Sequence, residues 1–316
     1  MPSWRGVLGR RRRARSRERS SLDIVLSPQL LFSALVLGAL YGVIALGLNL
    51  VYGTMRLLNI AHGDLVMIGA YGAFWLFTLT GVSPLIGLPL IAALTGLVGL
   101  GLYAGLFRGQ LAGGQAIERL EANSLLLFFG VSVILQNAIA LAFTASAQAY
   151  QHLDDVYRVA GIAMTGNRIA MLLVAVAVLA GVLVFLRTTF YGLAVSALIQ
   201  SREAAQIVGI DVTRVQRTSF VVGFAVAGIA GALISMAEQI SPFMGFPYTI
   251  AAFVVIILGG LGNIVGGIAA GFLLGFVEIY AVALTSANYR SILLYGVFVA
   301  ILLVRPQGLF GRRRRT

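Results

Sequence analysis

Seven stretches of this chain carry no Asp, Glu, Lys or Arg: 24–55, 65–107, 122–153, 169–186, 218–237, 239–277 and 291–304. An apolar run of about 18 residues or more makes a helix long enough to cross a hydrocarbon layer roughly 30 Å thick. The chain repeats such runs almost end to end, so it reads as a polytopic membrane protein. Predicted spans fall at 29–53, 63–80, 84–107, 123–146, 168–187, 218–239 and 290–305, with a longer element at 248–284. That element, as one unbroken helix, would measure about 55 Å, which exceeds a single crossing. Gly259, Gly260, Gly262, Asn263, Gly266 and Gly267 interrupt it. Two short passes or a broken re-entrant pair are therefore predicted, tolerable only where protein or a water-filled cavity covers the freed backbone. The expected fold is all-α, with about eight to nine transmembrane helices and a Gly-rich broken helix pair.

Composition agrees: 59% of the 316 residues are apolar and 11% charged, which leaves no room for a soluble domain beside the membrane part. The formal net charge of +12 suggests a nucleic-acid partner until the charges are located. Eight arginines lie in residues 5–19 and four in 312–315, and the stretch between holds eleven Arg against ten Asp and Glu. Short Arg runs beside apolar spans read as anchors against anionic lipid, not as a nucleic-acid site. Three parts are expected: an Arg-rich N-terminal extension at 1–28, a transmembrane domain at 29–305, and a basic cytoplasmic tail at 306–316. The basic N-terminus resembles a signal peptide, yet the apolar segment after it runs past 25 residues without a clear cleavage site, so it reads as a retained span.

Charge also orients the loops, because cytoplasmic segments carry the excess of Arg. Arg108 and Arg119 place 108–122 inside, and Arg187, Arg202, Arg214 and Arg217 do the same for 188–217. Loop 147–167, with Asp154 and Asp155 against Arg158, suits the outer face. Three spans precede 108–122, which puts the N-terminus outside, whereas its arginines argue for inside. Two resolutions stand: a re-entrant break near 51–64, or an Arg-rich leader that overrides nothing downstream; the second is preferred.

Chemistry-bearing residues are few. The absence of cysteine excludes disulfides and thiolate sites, and His62 and His152 are too far apart for a local His-rich metal site, so no metal, cofactor or catalytic set is expected. No phosphate-binding loop is present either, so the energy for any work comes from a partner or an ion gradient. One polar run, Asn49, Tyr52, Gly53, Arg56, Asn59, His62, Gly63 and Asp64, is crowded between two apolar spans. A break there can build a site for a small polar solute. Alternatively, Asn59 or Asp64 caps the second helix and His62 meets the water interface. A further pair, Gln136 and Asn137, falls in the fourth span, where amides commonly bond a neighbouring helix or line a pathway. Glu278 falls near a helix end on the outer side, where solvation is the simple reading, and Glu238 with Gln239 precedes Ser241 and Pro242 at an outer mouth.

On the inner side, 201–217 contains Glu203, Ala204 and Ala205 followed by Gly209 and Asp211. A short helix ending at glycine, with small residues on one side and charges on the other, offers a surface another protein can grip; a plain surface helix is the alternative. This E-A-A-x-x-x-G element resembles the coupling loop of ABC importer permeases. More specifically, L-N-L-V-Y-G-T-M-R-L-L-N-I-A-H-G-D at 48–64, I-L-G-G-L-G-N-I-V-G-G at 257–267 and L-V-R-P-Q-G-L-F-G at 303–311 resemble segments of the high-affinity branched-chain amino acid permease family, in that family's order. The coupling element lacks the Leu-Pro pair that follows it in many other importers.

The resemblance implies a permease subunit of an ATP-driven uptake system in a bacterial inner membrane. Its implied partners are two cytoplasmic ATP-binding subunits, a second permease subunit that is a distinct paralogue, and an external solute-binding protein. It implies that Glu203, Ala204, Ala205, Gly209 and Asp211 meet the ATPase, with branched-chain amino acids as the leading substrates and other amino acids, short amides or urea as alternatives. The expected substrate pathway draws on Asn49, Tyr52, Asn59, His62, Asp64, Gln136, Asn137, Gly259, Gly260, Gly262 and Asn263. An ion-driven secondary transporter is the rival from another class.

Overall fold

The computed structural model describes residues 27–109, 117–159, 162–286, 289–305 and 308–309. The extension at 1–26 and most of the tail expected at 306–316 lie outside the described residues. Helix α1 (Pro28–Met55) opens on a proline whose fixed φ suits the first helical turn. From Gly38 to Met55 every residue of α1 is buried. A helix apolar on all sides belongs at the centre of a bundle. It stops at Arg56, which adopts the left-handed conformation at φ 58°.

Around α1 stand α2 (His62–Thr80), α3 (Pro84–Leu102, prolonged by a π turn over Tyr103–Phe107), α4 (Ile117–Phe143) and α5 (Gly166–Thr188). Next come α6 (Phe190–Gln200), the short α7 (Arg202–Ile207) and α8 (Val212–Ser235). The last three are α9 (Gly245–Gly259), α10 (Ile264–Leu284) and α11 (Arg290–Val304). Between α4 and α5 an antiparallel hairpin, β1 (Val156–Val159) with β2 (Ile162–Thr165), pairs Val156 with Thr165 and Val159 with Ile162. The loop expected there is thus partly a hairpin.

Among the described residues, seven helices are long and apolar enough to cross a membrane: α1, α2, α3 with its π turn, α4, α5, α8 and α10. The expected count was eight to nine. The 15-residue α9 and α11 each reach about 22 Å at 1.5 Å per residue, short of the roughly 30 Å hydrocarbon core.

Small residues decide the packing, because lipid tails supply no hydrophobic drive between helices and close backbone approach has to replace it. Gly38 and Gly42 of α1 face Gly275 and Gly271 of α10, so the two helices run antiparallel at backbone contact. Helix α8 crosses α1 where Gly223 meets Gly47, α2 where Gly228 meets Gly69, and α3 where Gly228 meets Thr95. That makes α8 the hub.

The bundle has two distinct ends. At one, Gln29 donates to the Ala163 carbonyl in the hairpin, Gln148 pairs with Ile240, and the Asn167 amide donates to the Met236 carbonyl. At the other, the Tyr52 hydroxyl meets Glu121, Gln216 donates to the Thr54 carbonyl, and Leu309 N–H donates to the Leu258 carbonyl. Helix α1 therefore starts at the hairpin end and finishes at the end that carries α6 and α7.

Candidate functional site

The polar residues between α1 and α2 do not form one cluster; the fold sends them to three places. Asn49, fully buried, reaches the turn between α9 and α10. Its Oδ1 accepts from Gly262 N–H at 2.9 Å and its Nδ2 donates to the Asn263 carbonyl at 2.8 Å. Asn263 in turn caps α10 through Gly266 N–H at 3.0 Å. Gly260 and Gly262 take φ of 89° and 81°, which only glycine adopts without strain. Gly259 lies so near Gly266 and Gly267 that a Cβ would enter their backbone. Five expected pathway residues thus form one hydrogen-bonded turn.

Tyr52 goes elsewhere. Its hydroxyl donates to Glu121 Oε1 at 3.1 Å, and the Arg56 guanidinium stands 5.4 Å from its ring centroid. This contact lies at the α7 end and joins α1 to α4.

Asn59, His62 and Asp64 form the third place. After Arg56 the chain turns back along α1, so that α2 begins at the level of Ile44, well inside the bundle. His62 Nε2 lies 2.9 Å from the Ile44 carbonyl, which can only accept, so this nitrogen carries the proton. Gly63 N–H donates to Thr249 Oγ1 at 2.8 Å, and Thr249 donates to the Ile60 carbonyl at 3.0 Å. Gly63 has no alternative there, since a Cβ would collide with Gly245 of α9. The capping reading does not hold: α2 is preceded by Ala61 with no side-chain cap, and His62 is fully buried, not at a water interface.

Asp64 is 1% exposed. Its Oδ1 accepts from Gln136 Nε2 at 3.0 Å, and the same amide donates to Ser132 on α4. Gln136 accordingly ties α4 to α2, whereas Asn137 bonds only its own turn through the Val133 carbonyl and faces outward. Among the described residues, both Asn59 amide atoms, His62 Nδ1, Asp64 Oδ2, the Tyr71 hydroxyl and Trp75 Nε1 are buried with no partner. Asp64, Tyr71 and Trp75 recur at spacings of seven and four residues, so they share a face of α2. Buried polar atoms are ordinarily paired, and this many unpaired along one face marks a seam suited to water or a small polar solute.

His62→Gln keeps a donor for the Ile44 carbonyl and removes the titrating ring. The expected result is uptake with an unchanged pH profile; a profile that flattens or shifts would give the ring a proton-carrying role.

At the α7 end, Ser201 caps α7 by accepting from Ala204 N–H at 3.2 Å, and Asp211 caps α8 by accepting from Arg214 N–H at 2.9 Å. Gly209, at φ 82°, closes the turn between them. Ala205 points inward and belongs to a buried apolar cluster with Leu50 of α1, Leu186 of α5, Leu198 of α6, and Val212 and Val215 of α8. Glu203 and Ala204 face outward, and beyond them Ile207 and Val208 stand 86% and 73% exposed. A pair of apolar side chains held out beside charged ones is the form of a docking knob.

Glu278 is also displaced from its expected setting. It is 3% exposed and its Oε2 accepts from the Tyr41 hydroxyl at 2.7 Å, so solvation at a helix end is corrected to burial against α1. Glu238 accepts from Tyr248 at 2.7 Å. Outside the spans, burial pushes the Tyr150 hydroxyl up to about 12, with Ser235 pulling the other way, so it stays a neutral phenol bonded to the end of α8 at physiological pH. Glu121 and Thr249 carried no local signal: each is a single polar residue whose partner is distant in sequence.

A bundle of long apolar helices with buried polar groups inside it and a short exposed helix at one end defines an integral, multi-pass membrane protein. Residues 30–302 match the profile of the family described as branched-chain amino acid transport system / permease component, and the chain belongs to that family. It is 30% identical to the high-affinity branched-chain amino acid transport system permease protein BraD of Pseudomonas aeruginosa, over 90% of this chain and 95% of that protein. It is 30% identical to the corresponding LivH of Escherichia coli over the same shares. The LivM permease protein of Salmonella typhimurium is 28% identical, over 87% of this chain and 68% of that one. No solved structure matches significantly. With these relatives, the chain is a multi-pass inner-membrane permease component.

Proposed function

We propose that this chain is the transmembrane subunit of an ATP-driven importer for branched-chain or other amino acids. The observation that carries this reading is α7, an exposed helix with the E-A-A-x-x-x-G pattern whose one buried residue, Ala205, joins an apolar cluster drawn from α1, α5, α6 and α8. In this reading α9, as the shorter arm of a broken pair with α10, and α11 add to the seven long helices, giving eight to nine crossings. The α7 end is cytoplasmic, α1 starts outside, and the Arg-rich leader does not reverse that order.

Two ATP-binding subunits close on ATP and press on Glu203, Ala204 and the Ile207–Val208 knob. Because α7 packs on α6 and α8, and Ala205 shares its apolar cluster with Leu50 of α1 and Leu186 of α5, the displacement passes to α6 and α8 and through that cluster to α1 and α5. Helix α8 touches α1 and α2 at backbone contact and packs closely on Thr95 of α3, so it moves them as a block instead of deforming, as close-packed interiors do. A second permease subunit, a distinct paralogue as the likeness to both LivH and LivM suggests, completes the pathway. An external solute-binding protein delivers the solute.

Proteoliposomes holding the whole assembly test this. ATP-dependent leucine uptake that stops when the ATPase is omitted supports it, and uptake by the chain alone down an ion gradient refutes it. Buried Asp64 and Glu278 give the ion-driven rival its one foothold, and the same assay removes or establishes it. Within the assembly, Glu203→Arg is expected to weaken co-purification of the ATPase about tenfold by placing the wrong charge at the contact, with membrane insertion intact. Unchanged co-purification and uptake would remove Glu203 from the interface.

A further inference from the structure

At the hairpin end two cavities adjoin, sharing Arg168 and Ala237 in their walls. The outer one, about 220 Å³, is lined by polar groups including Gln29, Thr165 and Asn167. The inner one, about 230 Å³, lies between α1, α5 and α10 and contains the acids Glu238 and Glu278 together with Arg168. The rest of its wall is largely aliphatic, with Val36, Leu37, Leu40, Met171, Ile279 and Val282. Each acid is oriented by a tyrosine: Glu278, 3% exposed, accepts from Tyr41, and Glu238 accepts from Tyr248, both at 2.7 Å.

We infer that the inner cavity is a binding site for the zwitterion of a small amino acid with an apolar side chain. The inference rests on the importer reading and adds the place where the solute first meets this chain. A free amino acid presents a carboxylate, an ammonium and a side chain, and one cavity here offers a guanidinium, two carboxylates and an aliphatic wall. Arg168 forms the fork that a carboxylate takes two-handed. Glu278 and Glu238 hold the ammonium, Glu278 from a buried position where the attraction is screened least. Pockets for drug-sized ligands run from about 300 Å³ upward, so the smaller volume suits a solute of fewer atoms. The shared Arg168 wall joins the chamber to the polar cavity outside it, which gives the solute an entry from the hairpin end, opposite α7. Solute is captured at one end of the bundle and force is applied at the other.

The test pairs binding with uptake. Full-length chain in nanodiscs is titrated with radiolabelled L-leucine, with competition by isoamylamine, which lacks the carboxylate, and 4-methylpentanoate, which lacks the amine. Saturable leucine binding is expected, with both competitors weaker by about tenfold or more, since each forfeits a charge-assisted contact. Arg168→Gln and Glu278→Gln should lose leucine binding to a similar degree. Glu278→Gln retains an acceptor for Tyr41, and Val282→Trp, which fills the chamber without touching a charge, should abolish binding. No saturable binding, equal competition by either analogue, or wild-type binding in all three variants would overturn the inference. ATP-driven uptake by the complete assembly separates the two levels. Wild-type uptake that persists undiminished in the three variants sinks the cavity alone, whereas no uptake by the wild-type assembly sinks the importer reading beneath it.

Discussion

Gly231→Ala is expected to abolish accumulation of folded protein, while Gly181→Ala leaves it intact. Both glycines lie inside long apolar helices, α8 and α5, and helix propensity favours alanine at each by roughly 1 kcal/mol. Their surroundings differ. A Cβ at Gly231 would fall on the Val66 carbonyl and close to the Ala70 nitrogen, all backbone, whereas one at Gly181 meets nothing within 4 Å. Backbone cannot rotate away as a side chain can. Overpacking typically costs about 1–3 kcal/mol, and a clash of main chain against main chain at the hub of the bundle stands at or above the top of that range. Monodisperse yield in detergent reads the difference; equal yields for the two variants would mean that α8 does not lie against α2 as described.

Asn49→Leu has the second-largest expected effect. Leucine reproduces the branching of asparagine and removes its hydrogen bonds, so shape is kept while chemistry is lost. The Asn263 carbonyl still accepts from Gly267 N–H at 2.8 Å, but Gly262 N–H loses its partner. An unpaired amide costs about 1–3 kcal/mol when fully buried; Gly262 is partly buried, which places the cost toward the lower end, and the change also frees the turn between α9 and α10 from α1. Thermal unfolding of the purified chain should fall, and uptake should fall further than stability does, because the turn no longer follows α1 when α7 is pressed. Wild-type stability and uptake would show that the turn holds itself.

How far these features were legible depends on the range of the interaction behind each. The spans were readable because each is a local run of uncharged residues, and the α7–α8 turn because the caps Ser201 of α7 and Asp211 of α8 lie within a few residues of the helix starts they close. The hairpin at 156–165 gave no such signal, since V-Y-R-V-A-G-I-A-M-T lacks a clear alternation of apolar and polar positions. Glu278 looked solvated because its burial depends on Tyr41, 237 residues away in the chain. Asn59 and Asp64 looked like caps because Asn59 shortly precedes α2 and Asp64 lies in its first turn. What overrides that is tertiary: Gly47 and Gly63 let the entering segment press against α1 and α9 until no solvent reaches it. The residues 259–263 were recognisable as a break, but that Asn49 ties it to α1 appears only in three dimensions.

The central claim is that α7 is an inner-face lever moved by a separate ATPase, and the chain's lack of cysteine allows a direct measurement. Ile207→Cys creates a single thiol on the exposed knob, to be labelled with a membrane-impermeant maleimide in vesicles of known orientation, with and without the ATP-binding subunits. The account predicts labelling from the cytoplasmic face only, with protection when the ATPase is assembled. Labelling from the outer face, or labelling that the ATPase leaves unchanged, would contradict it.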